Sequence, residues 1–363
     1  MEGVRVRAPA VVGIFILFLL VAGLPGLVGL IPVRDGEPWA VTTYDFAYAA
    51  EIGNFGTVGA KNLTARIALL RDFPPFQRVV RMEVLTPGAA TEVDELGNAY
   101  AVYGLANLAP GASLVLNFTT RVQVFGIDFR VDGNSFTPSA VDLPYVSPEP
   151  FVESADSRIL NMSRSIRANA TDSAAYAYAA YTWTTRHLTF ETQPQERGAL
   201  WALKTGRGMC YEYSNLYLAL MRAQGLPAKR VNGWGERFDA GEILRAEQIA
   251  HAWALVQTAE HGWLPVDPTF GDRHLYENFL KINDMHVILT EGVNRHLYRV
   301  AYERAIGVNV QVDYTVHVLA KQEQNLSLGR SLVFAGLVSV PILMTSAIIF
   351  QVIWERRRRT VAK

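Results

Sequence analysis

The chain has 363 residues, half of them hydrophobic, with 34 basic against 34 acidic side chains and one cysteine. A balanced charge with no basic stripe argues against a nucleic-acid partner, and a lone thiol excludes an internal disulfide framework. The length suffices for more than one hydrophobic core.

In chain order, residues 8–33 come first as an apolar run with no charged side chain. A spanning helix needs about 20 such residues, so this run is expected to be a transmembrane helix. It lacks an Ala-x-Ala cleavage site and exceeds the about 7 to 15 apolar residues of a signal peptide, which favours an uncleaved span. Residues 36–140 then show strand-like runs at Ala65–Leu70, Gln77–Leu85, Ala99–Leu105 and Ser113–Val124, parted by Pro, Gly and Asn turns such as Ala109-Pro-Gly111. Short strands between turn signals predict a β-sandwich of immunoglobulin type. Residues 141–151, with Pro144, Pro148 and Pro150, make a stiff linker.

From Val152 to Arg186 the chain is rich in Ala, Ser and Arg with helical periodicity, and it leads to Gly206-Arg-Gly208-Met-Cys210. Apolar residues at helical spacing, Leu216 and Leu220 among them, predict a helix over Tyr211–Gln224 that stops at Gly225-Leu-Pro227. Cys210 then lies in the first turn, where unpaired backbone N–H groups and the helix dipole favour an anion and hold a developing oxyanion. A neutral thiol is a poor nucleophile, so a reactive cysteine needs such a setting, an imidazolium, or both. His251 opens an apolar strand, Ala252–Val256. His261-Gly262 reads as a turn, and Trp263–Asp267 as the returning strand. Antiparallel pairing brings His251 and Asp267, 16 positions apart, to the same end of the hairpin with a small offset, where the carboxylate orients the ring.

The order Cys210, His251, Asp267, with a Gly-x-Cys helix start, Gly225-Leu-Pro-Ala-Lys-Arg230, His251-Ala-Trp253 and Asp267-Pro-Thr269, resembles the transglutaminase-like superfamily over about residues 199–269. The resemblance implies a papain- or transglutaminase-like cysteine catalytic domain at residues 152–280, with Cys210 as nucleophile, His251 as base and Asp267 as orienting acid. Gly208, Tyr211, Trp253 and Trp263 are candidates for the substrate cleft. One departure is visible: many relatives have a tyrosine in an Ile-x-Tyr segment before the cysteine, where this chain has Leu188-Thr-Phe190. The implied reaction is acyl transfer through a thioester. Hydrolysis of a peptide or amide is placed ahead of glutamine–amine cross-linking, and a catalytically inactive binding or scaffold module is the non-enzymatic alternative.

Residues 281–330 read as a β-rich extension in which Val308–Leu319 alternates as a long strand leading back towards the membrane. Residues 332–354 form a second charge-free apolar run, also expected to span a bilayer. Arg5 and Arg7 before the first run, and Arg356–Arg359 with Lys363 after the second, place both termini in the cytoplasm and the middle outside it. Five Asn-x-Ser/Thr sequons, at Asn62, Asn117, Asn161, Asn169 and Asn325, fit that sidedness. Without the tails the charge is 27 basic against 32 acidic. The histidines show no His-x-x-x-His spacing, so neither a metal site nor a cofactor is expected. The full expectation is an α+β chain with a β-sandwich ahead of the thiol domain, flanked by two transmembrane helices. Its expected partner is a protein or peptide substrate in the cell envelope.

Overall fold

A computed structural model describes residues 35–136, 144–272 and 278–326, with the isolated positions 345 and 351. Six strands open it: β1 (Pro38–Asn54), β2 (Ala60–Ala68), β3 (Gln77–Val84), β4 (Ala90–Val93), β5 (Ala99–Leu108) and β6 (Ser113–Asp128). Along β1 every second residue, Tyr44, Phe46, Tyr48, Ala50 and Ile52, is buried, the period-2 pattern of a strand with one face on a core. β1 pairs antiparallel with β6 from Pro38↔Ile127 to Gly53↔Ser113.

The thiol half follows with helices α1 (Ser157–Arg167) and α2 (Ser173–His187), then β7 (Thr189–Phe190), α3 (Ala199–Thr205), β8 (Arg207–Gly208) and α4 (Cys210–Arg222). Asp156 and Asp172 cap α1 and α2 by accepting backbone N–H groups of the first turn. Next come β9 (Ala228–Gly235), β10 (Ile243–Arg245), α5 (Ala246–Ile249), β11 (Ala250–Thr258) and β12 (Gly262–Val266). The last strands are β13 (Lys281–Ile282), β14 (His286–Glu291), β15 (Tyr298–Ala301) and β16 (Val310–Asn325).

Residues beyond 280 are shared out among the sheets. β16 lies between β10 and β1 in the six-stranded sheet β10-β16-β1-β6-β13, with β3 also on β6. β15 joins β2 in the sheet β15-β2-β5-β4, and β14 joins β9 in the sheet β12-β11-β9-β14. This last sheet is covered on both faces. Val231, Ile288 and Trp253 pack with α1, α2 and α4 through Ile159, Tyr176 and Leu216. Trp234, Val287 and Leu289 pack with Phe46, Tyr48 and Tyr314 of the long strands. Residues 35–324 accordingly form one compact unit.

The expected fold class needs correction. The described chain is dominated by strands, sixteen against five α-helices. Among the described residues no helix is long and apolar enough to cross a membrane. The longest, α2, has 15 residues, short of the about 20 that a bilayer requires. The two apolar runs read as transmembrane helices, 8–33 and 332–354, lie outside the described residues apart from the isolated positions 345 and 351.

Candidate active site

α4 begins at Cys210, with Met209 as its N-cap. The buried Glu212 side chain closes the first turn by accepting the Met209 N–H at 2.9 Å and the Arg197 N–H at 2.6 Å. Burial raises the Glu212 pKa even though these donors favour the carboxylate. The approach to the thiol requires glycine for a steric reason, because a Cβ on Gly208 would sit 2.4 Å from Glu212 Cβ. Gly206 ends α3 in the left-handed region at φ 66°. Cys210 retains 8 % exposure.

β11 carries His251 opposite Gly233 on β9. Gly235 makes room for the ring, since a Cβ there would fall 2.4 Å from His251 Cδ2, and Gly233 makes room for β14, since a Cβ there would strike the Val287 carbonyl. Ser214 Oγ of α4 donates to the Ala252 carbonyl at 3.0 Å, tying the cysteine's helix to the histidine's strand. The register Ala254↔Val266 carries the chain past Trp253 to Asp267, so the carboxylate reaches His251 diagonally across the sheet.

His251 Nε2 lies 2.7 Å from Asp267 Oδ2. That leaves Nδ1 turned away from Asp267, and Cys210 is near enough to the ring to add to its hold on a proton. Asp267 Oδ1 accepts the N–H groups of Thr269 at 2.9 Å and Phe270 at 3.2 Å. Burial disfavours the imidazolium, but the charge and hydrogen bond of Asp267, followed by Cys210, outweigh it and raise His251 to about 10. Burial likewise opposes the Asp267 carboxylate, and the charge and hydrogen bonds of His251, with those of His286, hold its pKa well below the usual range.

Of the proposed cleft residues, Gly208 packs on Glu212 beneath the thiol. Tyr211 is half-buried, with the Arg230 guanidinium 4.8 Å from its ring centroid. Trp253 is fully buried and forms a floor, stacked 5.6 Å from His251. Trp263 stands at the other end of the hairpin, opposite Gln257, and packs on Tyr145 at 5.0 Å with Lys229 Nζ 4.4 Å from its ring. It is four residues from Asp267, roughly 13 Å along an extended strand. Phe190 pairs with Gly208 and is exposed.

Sequence reasoning passed over three groups. Phe270 stacks on His251 with centroids 4.4 Å apart. A buried pair of Arg230 and Glu196, with Asn215 Oδ1 at 2.9 Å from Arg230, supports the underside of α4. His286 Nε2 lies 3.1 Å from Asp267 Oδ2. A histidine opening a wholly buried strand was the available signal for the last. The ligating atoms of His251, Asp267 and His286 lie within 4.8 Å of one another, which would admit a metal ion, but they already bond to each other as donors and acceptor.

The sequence profile of the transglutaminase-like superfamily matches residues 161–268, a span that takes in Cys210, His251 and Asp267. The chain carries a transglutaminase-like domain. Within it, 69 residues are 42 % identical to a protein-glutamine gamma-glutamyltransferase of Pseudomonas aeruginosa, covering 18 % of this chain and 10 % of that protein. A further 99-residue match at 30 % identity, to the uncharacterised protein YebA of Bacillus subtilis, covers 25 % and 13 %. The chain thus spans only about a tenth of the length of these two curated relatives. The likeness in fold reaches further than the transglutaminase-like domain. A solved structure of a candidate cysteine protease from Cytophaga hutchinsonii superposes with a TM-score of 0.56 at 13 % identity, over 79 % of this chain and 93 % of that one.

Proposed function

We propose that the transglutaminase-like domain is a thiol acyl-transfer enzyme that acts on a protein or peptide and resolves its thioester with water. The observation that carries this reading is one geometry: a cysteine at the start of a helix that is tied by Ser214 to the strand of a buried histidine, whose Nε2 lies 2.7 Å from a carboxylate. His251 takes the Cys210 proton, and the sulfur attacks a carboxamide or peptide carbonyl carbon. Backbone N–H groups in the first turn of α4 steady the tetrahedral oxyanion. His251 then returns the proton to the departing nitrogen, the C–N bond breaks and a thioester remains. Water, deprotonated by the same ring, cleaves the thioester to a carboxylic acid and restores the thiol. Hydrolysis is placed first because water is the smaller acceptor, and Cys210, buried at 8 % exposure, leaves little room beside it for a second side chain.

Glutamine–amine cross-linking is the second reading, supported by the 42 % identity to the gamma-glutamyltransferase over the 69 matched residues. The two share every step up to the thioester and differ in the acceptor.

Intact mass spectrometry of the full chain, wild type beside Cys210→Ala, with a glutamine-containing peptide and a primary amine, separates them. Peptide cleavage or a deamidation shift lost in the variant supports hydrolysis. Amine incorporation lost in the variant supports cross-linking. A folded wild type that alters none of several peptides leaves a binding module as the surviving account.

A further inference from the structure

Asp267 Oδ2 meets two imidazole nitrogens, Nε2 of His251 at 2.7 Å and Nε2 of His286 at 3.1 Å. The second ring lies outside the Cys–His–Asp order of the chain, yet it is as deeply buried as the first, at 2 % exposure. Its setting is a built one. Nδ1 lies 2.8 Å from Asn283 Oδ1, an oxygen that also accepts the Met285 N–H at 3.1 Å. Trp253 meets the ring edge-on at 4.9 Å. The turn carrying Asn283 is fastened to β1, where Thr42 Oγ1 donates to Asp284 Oδ2 at 2.8 Å and the Tyr44 hydroxyl donates to the Asp284 carbonyl at 3.3 Å.

We propose that His286 is a positioning residue of the Cys210–His251–Asp267 site: as a second donor to Asp267 Oδ2 it fixes the carboxylate and limits how tightly that carboxylate holds a proton on His251. The proposal rests on the thiol acyl-transfer reading above.

The carboxylate is engaged on both oxygens, Oδ1 by two backbone N–H groups and Oδ2 by the two rings, so it cannot rotate without breaking bonds. Each donor spreads the carboxylate charge and weakens its pull on any single partner. Facing His251 alone, Asp267 would hold the imidazolium more firmly. A ring that does not release its proton to a leaving amine cannot alternate between base and acid. A single carboxylate balances a single imidazolium, and the groups around His286 assign that role to His251. Burial lowers the His286 pKa first; Asp267 and Asp284 attract a proton to it, and His251 repels one. Tyr181 also feels the Asp267 charge, and Cys210 faces His251. His286 is therefore the neutral Nε2–H donor at neutral pH. With Nε2–H given to Asp267, a bare Nδ1 requires the Asn283 amide turned so that its NH2 faces the ring, with loss of the Met285 N–H contact to Oδ1.

The test is ¹⁵N-histidine NMR on the full chain, in wild type, His286→Gln and His286→Met. Wild type should show His286 protonated at Nε2 and bare at Nδ1 at neutral pH. Gln keeps a neutral donor and should leave the His251 titration midpoint in place. Met removes the donor and should move that midpoint up by about one pH unit. A bare Nε2 on His286 in wild type overturns the proposal, as does a Met variant with an unmoved midpoint or a Gln variant that moves as far as Met. If the Met variant does not fold, the wild-type tautomer and the Gln midpoint decide. None of these signals depends on turnover, so a chain whose His286 behaves as stated yet processes no peptide defeats the enzymatic reading alone.

Discussion

β1 and β9 lie in the same compact unit and are buried in opposite ways. β1 alternates, one face on the core and the other towards solvent, whereas β9 is buried at all eight positions. The buried side chains of β1 are mainly apolar, and its tyrosine hydroxyls take polar partners, Tyr44 on the Asp284 carbonyl and Tyr48 on the Ala68 carbonyl. β9 carries Lys229, Arg230 and Asn232 into the interior, and each is held by a defined acceptor: Glu291 at 2.8 Å, Asn215 Oδ1 at 2.9 Å with Glu196, and the Gly292 carbonyl at 3.0 Å. Buried polar groups persist where they are paired. The sheet that carries His251 is therefore one where position matters more than burial, and the long strands β1 and β16 supply the wall against which it is held.

The largest effect expected from disturbing that contrast is at Asp267. Asp267→Asn should lower the rate of thioester formation by about 10³ to 10⁴, because an amide no longer sets the His251 tautomer or balances its charge; a loss under tenfold would remove Asp267 from the site. The same pair makes stability depend on pH. The folded-state pKa of His251 is raised from the ordinary 6.5 to about 10, so its contribution is complete below pH 6.5 and is lost as pH rises through about 10. Asp267, held low, contributes above its ordinary 3.8 and loses that contribution as pH falls. Thermal melts of wild type should decline from pH 6.5 to 10, and the decline should be largely absent in Asp267→Asn.

Trp234→Ala probes the wall itself. The indole sits 5.3 Å from Phe46 and 5.5 Å from Tyr48, edge-on to both, and its loss should cost about 3 to 5 kcal/mol in urea unfolding. A loss under about 1 kcal/mol would mean that the indole adds nothing to the packing at that wall.

A narrower disturbance is Gly235→Ala, which places a Cβ 2.4 to 2.6 Å from atoms of the His251 side chain. Displacing the ring should reduce turnover by about 10² while the far-UV spectrum stays that of wild type; unchanged turnover would show that the ring has slack. The least effect is expected at Phe190→Ala. That side chain is 59 % exposed, so stability should stay within about 0.5 kcal/mol, and a larger drop would reveal packing on Phe190.

Much of the site was legible because its residues are tied to local punctuation. Gly208-Met-Cys210 before a helical apolar pattern, and Asp267-Pro-Thr269 after a short strand, are signals confined to a few residues, and α4 runs Cys210–Arg222 close to the expected Tyr211–Gln224. No local spacing in the sequence singles out His286. Its partner is 19 positions away on another strand, a separation that no periodicity reports. Trp263 and Trp253 looked alike as neighbours of Asp267 and His251. The register parts them, with Trp253 under the imidazoles and Trp263 opposite Gln257. β16 was readable as a strand from its alternation, but it turned out to lie beside β1 in the six-stranded sheet.

By itself, the amino-acid sequence determined that Cys210, His251 and Asp267 are the candidates for one site, and the helix or strand that each begins, lies on or follows, since those depend on residue type and on patterns a few positions long. Only the tertiary structure decided that residues 35–324 form one unit, that Trp234 packs among the aromatic residues of β1, and that two histidines share one oxygen of Asp267. Those outcomes rest on which sheet faces meet and in which register, and such contacts arise between segments tens to hundreds of residues apart.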